Sequence, residues 1–158
     1  QQGRHTFEQE YEDLRGLSFN RVANGDGILR ETWSGKISTT IVGEGWAPSA
    51  FATLSQGTHL VKCAVPRAAS SETVTVTLPQ SRRSDAGHEP RGWALVGANL
   101  VETTISGIVS NVATLDAVAD AVGYRVTYFP QIIAAITVNE GGGENNGTYR
   151  WRVEAEEI

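Results

Sequence analysis

One cysteine, Cys63, stands in a chain of 158 residues. No intrachain disulfide can form, which excludes a small disulfide-stapled extracellular scaffold. Its neighbours Val61 and Val65 mark it as a small buried hydrophobe rather than a nucleophile. No apolar run reaches the roughly 18 to 20 residues that a membrane helix requires. The longest, residues 129–138, is interrupted by Pro130, Gln131 and Thr137, so no membrane partner is expected. Cations are not gathered on one segment either: 13 Lys and Arg are spread among 18 Asp and Glu, for a net charge of −5. The only dense basic pair, Arg82-Arg83 with Arg91 nearby, reads as a solvated loop, and no nucleic-acid partner is expected.

Catalytic groups are equally sparse. The histidines His5, His59 and His88 are not within metal-ligand spacing of one another or of Cys63. No G-x-S-x-G elbow occurs. Gly43-Glu44-Gly45 opens like a dinucleotide fingerprint, but Trp46-Ala47-Pro48 follows and no third glycine arrives. Asn24-Gly25-Asp26-Gly27 has too few oxygen ligands for a calcium loop, because Ile28 stands where another is needed. The acidic groups Glu8, Glu10, Glu12 and Asp13, then Glu154, Glu156 and Glu157, alternate with apolar residues like solvent faces. No catalytic residue, cofactor or metal is expected.

The pattern present throughout is alternation with a period of two, and it predicts a mainly β protein: an antiparallel sandwich or barrel-like sheet with at most one or two short helices. Tyr149, Trp151, Val153 and Ala155 alternate with Arg150, Arg152, Glu154 and Glu156, whose mixed charges would protect an exposed edge. Tyr124, Val126 and Tyr128 alternate in the same way before Pro130, and residues 132–138 continue as an apolar, β-branched strand. Further strands are expected at 17–21, 28–33, 37–42, 60–65, 73–78, 93–96 and 100–105. Asn24-Gly25-Asp26-Gly27 and Ser34-Gly35 are read as turns.

A helix is expected over 6–15, where Phe7, Tyr11 and Leu14 fall at helical spacing and Thr6 with Gln9 fits a capping box; residues 1–16 form that helix or an arm. Residues 115–122 read either as a second helix or as a strand followed by a turn. Exposed loops are expected at 82–92 and 139–147. The length fits one ordinary domain, or at most a domain carrying a substantial insertion, and residues 1–158 are taken as one domain. The chain opens on Gln1 rather than Met, and its first six residues hold no apolar signal-peptide core. Asn146-Gly147-Thr148 matches a glycosylation triplet but is read as hairpin loop.

Four stretches carry a family likeness. Gly35-Lys-Ile-Ser-Thr-Thr-Ile-Val-Gly-Glu-Gly-Trp-Ala-Pro48, followed by Leu60-Val-Lys-Cys-Ala-Val-Pro-Arg-Ala68, resembles tail-associated virion proteins of long-tailed bacteriophages. Gly123-Tyr-Arg-Val-Thr-Tyr-Phe-Pro130 and Tyr149-Arg-Trp-Arg-Val-Glu-Ala-Glu-Glu157 extend the likeness. It implies a β-sandwich or barrel subunit of the distal tail or baseplate, made in the host cytoplasm and residing in the virion. Such a subunit partners copies of itself in a ring and other tail proteins, without catalytic residues. Residues 112–128 also look like the central strands of a fibronectin type III domain, although Asp116-Ala117-Val118 stand where that family commonly has a Trp. That likeness implies a binding module for a protein or glycan.

Interface residues are sought among aromatics at turns and polar loop residues: Trp46, Trp93, Arg82, Arg83, Asn145 and Asn146. Trp33 and Trp151, inside strands, are expected in the core.

Overall fold

The computed structural model describes residues 6–45, 54, 57–143 and 148–158. Among them run twelve strands: β1 (Thr6–Arg21), β2 (Gly27–Gly45), β3 (Gly57–Lys62), β4 (Arg67–Ser71), β5 (Thr75–Thr77) and β6 (Arg91–Val96), then β7 (Asn99–Thr103), β8 (Ile105–Val109), β9 (Val112–Leu115), β10 (Ala121–Tyr128), β11 (Gln131–Gly143) and β12 (Thr148–Glu157). No helix occurs among the described residues, and all the strand pairs described are antiparallel. The mainly β, antiparallel class expected from the alternation is the class observed. The chain divides into two compact units: Val61–Ile132, and Gln1–Leu60 together with Ile133–Ile158. The first is therefore an insertion within the sequence of the second.

The inserted unit is a small β-sandwich. A four-stranded sheet, β4-β10-β6-β7, and a three-stranded sheet, β5-β9-β8, contribute to one core. Val76, Leu78, Ala113 and Leu115 enter it from the smaller sheet and the residue after β5; Ala94, Tyr124, Val126 and Tyr128 enter from the larger. The period-two reading of β10 holds residue by residue: Tyr124, Val126 and Tyr128 are buried while Arg125 is exposed. Each large side chain buried this way stabilises by about 1.5–3 kcal/mol. Tyr124 keeps its hydroxyl satisfied by accepting from the Val118 N–H at 3.1 Å. That bond helps fix a turn over 116–120, so residues 115–122 are a strand end and a turn, not a helix.

The other unit is built on a sheet of order β1-β2-β12-β11-β3. Its first strand corrects the helix expected at 6–15. Phe7, Gln9 and Tyr11 pair with Gly43, Ile41 and Thr39, while Glu8, Glu10 and Glu12 face the other way and are exposed. Gln9 is buried because its Nε2 donates to Thr39 Oγ1 at 3.0 Å, and Thr39 Oγ1 in turn donates to the Glu10 carbonyl at 2.8 Å. β12 lies between β2 and β11, so its alternating charges decorate a central strand and guard no edge. Ser34-Gly35 is not a chain reversal: β2 passes through it, with register shifts near Gly16 and Gly35 at a positive φ of 84°. β11 also extends to Gly143, which shortens the loop expected at 139–147.

Candidate functional site

The longest hairpin among the described residues leaves its sheet. β12 pairs with β2 only from Ser38 to Gly45, whereas β1 and β2 remain paired from Leu14–Lys36 out to Arg21–Gly27. The departure point is capped, since the Ile37 N–H donates to Glu157 Oε2 at 2.9 Å. Beyond it a two-stranded ribbon runs eight residues to its turn, roughly 25 Å at strand rise. The turn is the one expected at 24–27: Gly25 takes a φ of 90°, its N–H bonds the Val22 carbonyl at 2.9 Å, and Asn24 Nδ2 donates to Asp26 Oδ2 at 2.6 Å. The register shifts at Gly16 are bulges, which bend and twist the ribbon where it starts.

This arm carries large apolar groups in water. Phe19 and Leu29 are directly opposed and 59% and 65% exposed, with Leu17 and Ile28 also open. Trp33, expected in the core, is instead 48% exposed and lies against Gly16, where its neighbour has no side chain to displace it. Phe19 covers Gly27 on one side and has the Arg21 guanidinium 5.4 Å from its ring centroid. A two-stranded hairpin alone is at best marginally stable in water. An arm that adds a patch of exposed aromatics has the composition of a contact surface.

At the root of the arm, the outward set of β1 is acidic. Glu8, Glu10 and Glu12 stand in register with Val42, Thr40 and Ser38, and the next strand places Arg152, Glu154 and Glu156 beside them. Arg150 pairs with Glu44 at 3.3 Å and Arg152 with Glu154 at 2.7 Å; no ion pair among the described residues involves Glu8, Glu10, Glu12 or Glu156. At the same end a groove of about 550 Å³ is lined by Phe7, Glu8, Val42, Gly43, Glu44 and Trp151, among others. Trp151 lies flat on Gly43, so close that a Cβ there would overlap the indole. Gly43→Ala is therefore expected to displace Trp151 and lower stability by about 1–3 kcal/mol, measured as a fall in the urea midpoint.

Three of the six residues singled out from sequence, Trp93, Arg82 and Arg83, lie within the described residues. Trp46, Asn145 and Asn146 lie outside the described residues. Trp93 is half-buried in β6, its Nε1 donating to Thr127 Oγ1 at 3.4 Å. Arg82 and Arg83 are not freely solvated. Arg82 Nη1 donates to the Pro79 carbonyl at 2.7 Å and to Asn111 Oδ1 at 2.8 Å. Arg83, with only 11% of its side chain exposed, grips Asp85 at 2.6 Å and donates to the Cys63 carbonyl at 2.9 Å and to His88 Nδ1 at 3.0 Å. His88 packs edge-on against Phe129. The two arginines thus fasten the loop that precedes β6.

The Arg83 hydrogen bonds hold the Asp85 carboxyl well below the usual carboxylate range, more than offsetting the desolvation that opposes them. A depressed carboxylate adds stability that is complete above its unfolded value and is lost as the pH falls through its folded one. Asp85→Asn should therefore cost stability at pH 7. The gap in urea midpoint from wild type should narrow progressively below about pH 4. A gap unchanged down to pH 2 would contradict this account of the loop.

No group of three or more His, Cys, Asp or Glu among the described residues could hold a metal ion. No family model matches the chain, and neither the curated proteins nor the solved structures contain a significant match to it.

Proposed function

We propose that this chain is a structural subunit of a bacteriophage tail, near the tube end or baseplate, that works by self-association and by docking to neighbouring tail proteins. The observation that carries the assembly role is the projecting β1–β2 hairpin, whose Phe19, Leu29 and Trp33 are about half or more exposed on a ribbon without a third strand. In a monomer such an arm exposes apolar surface with nothing gained. In an assembly the same contact is repeated by every copy, so a modest interface suffices. The placement in a phage tail rests on the likeness carried by residues 35–48, 60–68, 123–130 and 149–157.

A second reading, a stand-alone binding module, draws on the seven-strand sandwich of the inserted unit. Its strand order weighs against an immunoglobulin-type module. There the first, second, fifth and fourth strands share a sheet; here the first, seventh, third and fourth do. Light scattering on the purified full chain separates the two readings. The tail subunit gives an oligomer mass that rises with concentration, and antibody to the chain labels virion tails. A monomer at every concentration, absent from particles, would overturn the proposal.

A further inference from the structure

We infer that the arm of one copy docks on the acidic root of β1 in a second copy of this chain. The inference rests on the self-association proposed above and names the two surfaces that meet. Charge selects this pairing. Residues 14–36 carry Arg15, Arg21, Arg30 and Lys36 against Asp26 and Glu31, a net +2 in a chain whose total is −5. Residues 6–13 carry Glu8, Glu10, Glu12 and Asp13 and no cation, a net −4.

Arm against arm would set like charges together, which costs free energy and slows encounter. Arm against root neutralises both. Among the described residues no ion pair involves Glu8, Glu10, Glu12 or the exposed Arg30, so no ion pair seen there must break for the two to engage. Val42 stands in register between Glu8 and Arg152, which places one apolar side chain beside the acidic row for an incoming Phe19. Arg21, already over the Phe19 ring, would arrive with it. Two different patches meet, so each copy gives one arm and receives one.

The test is a charge swap in the full chain. Arg21→Glu with Arg30→Glu reverses the arm; Glu8→Lys, Glu10→Lys and Glu12→Lys together reverse the root. All five positions are exposed, and circular dichroism identical to wild type confirms folding of both variants. Each variant alone should associate at least tenfold more weakly than wild type by sedimentation velocity, about 1.4 kcal/mol. An equimolar mixture of the two should assemble again, because each then meets a complementary partner. The inference is overturned if either variant alone assembles like wild type, or if the mixture stays as dissociated as its components. Wild type that never associates would instead remove the underlying reading, and this inference with it.

Discussion

Phe19→Ser, Leu29→Ser and Trp33→Ser combined in one chain should leave it folded and eliminate its self-association. The three side chains are 59%, 65% and 48% exposed, so the folded chain loses little burial when they shrink. Exposed substitutions of this kind typically change stability by no more than about 0.5 kcal/mol each. Trp33 and Phe19 have some internal packing, against Gly16 and Gly27, and contribute most of whatever fall is seen. The interface effect is larger. Buried aromatic anchors commonly account for about 2 kcal/mol or more each, so their joint loss should weaken association by at least about a thousandfold. Light scattering reads the association and urea unfolding the stability. A triple variant with wild-type assembly would exclude the arm as the contact surface.

Val126→Asp should unfold the inserted sandwich. Val126 is fully buried in β10, in the cluster with Val76, Leu115 and Tyr124. The buried cluster around it contains no cation to meet a carboxylate. Burying it unpaired, or protonating it, costs several kcal/mol, against a total of about 5–15 kcal/mol that holds a typical domain. Val126→Ala supplies the graded control. It removes volume without adding a charge and should cost about 1–3 kcal/mol. The near-ultraviolet signal of Trp93 and the urea curve report the two outcomes. If Val126→Asp melted like wild type, the side chain could not lie between the two sheets.

Much of the strand content was legible because alternation needs no distant partner to be read. β10 and β12 show it plainly in Tyr124, Val126 and Tyr128, and in Trp151, Val153 and Ala155. The turn at Asn24-Gly25-Asp26-Gly27 was equally plain, since its residues supply the positive φ and the short side-chain bonds that the turn needs. β1 was misread because two patterns fit the same letters. Phe7, Tyr11 and Leu14 satisfy a helix, while Phe7, Gln9 and Tyr11 satisfy a strand, and glutamates between them favour helix locally. Pairing with β2 along fifteen registered positions decided it, which is a tertiary contribution that local propensity does not contain.

The β8–β9 hairpin escaped notice for a related reason. Its two-residue turn is Ser110-Asn111, both at positive φ, and the expected signal there is Asn-Gly or Asp-Gly. The candidate site was less legible still. Leu17, Phe19 and Leu29 look like any core-facing strand residues. They are exposed because β12 ends its pairing with β2 at Ser38, eleven residues along β2 from Gly27, where the arm turns. Arg82 and Arg83 suggested a free basic loop because their partners, Cys63, Asn111 and Phe129, are far away in sequence.

Amide hydrogen exchange at two concentrations reports on whether the arm joins one copy to the next. In a lone copy the ribbon pairs on only one side of each strand, so the outward N–H groups of residues 14–36 should exchange rapidly in dilute solution. At concentrations where light scattering shows association, those residues and residues 7–12 should slow together, while the core of β10 remains unchanged. Arm peptides that exchange at the same rate in both conditions, with association present, would contradict the assignment of this hairpin as the surface that joins one copy to the next.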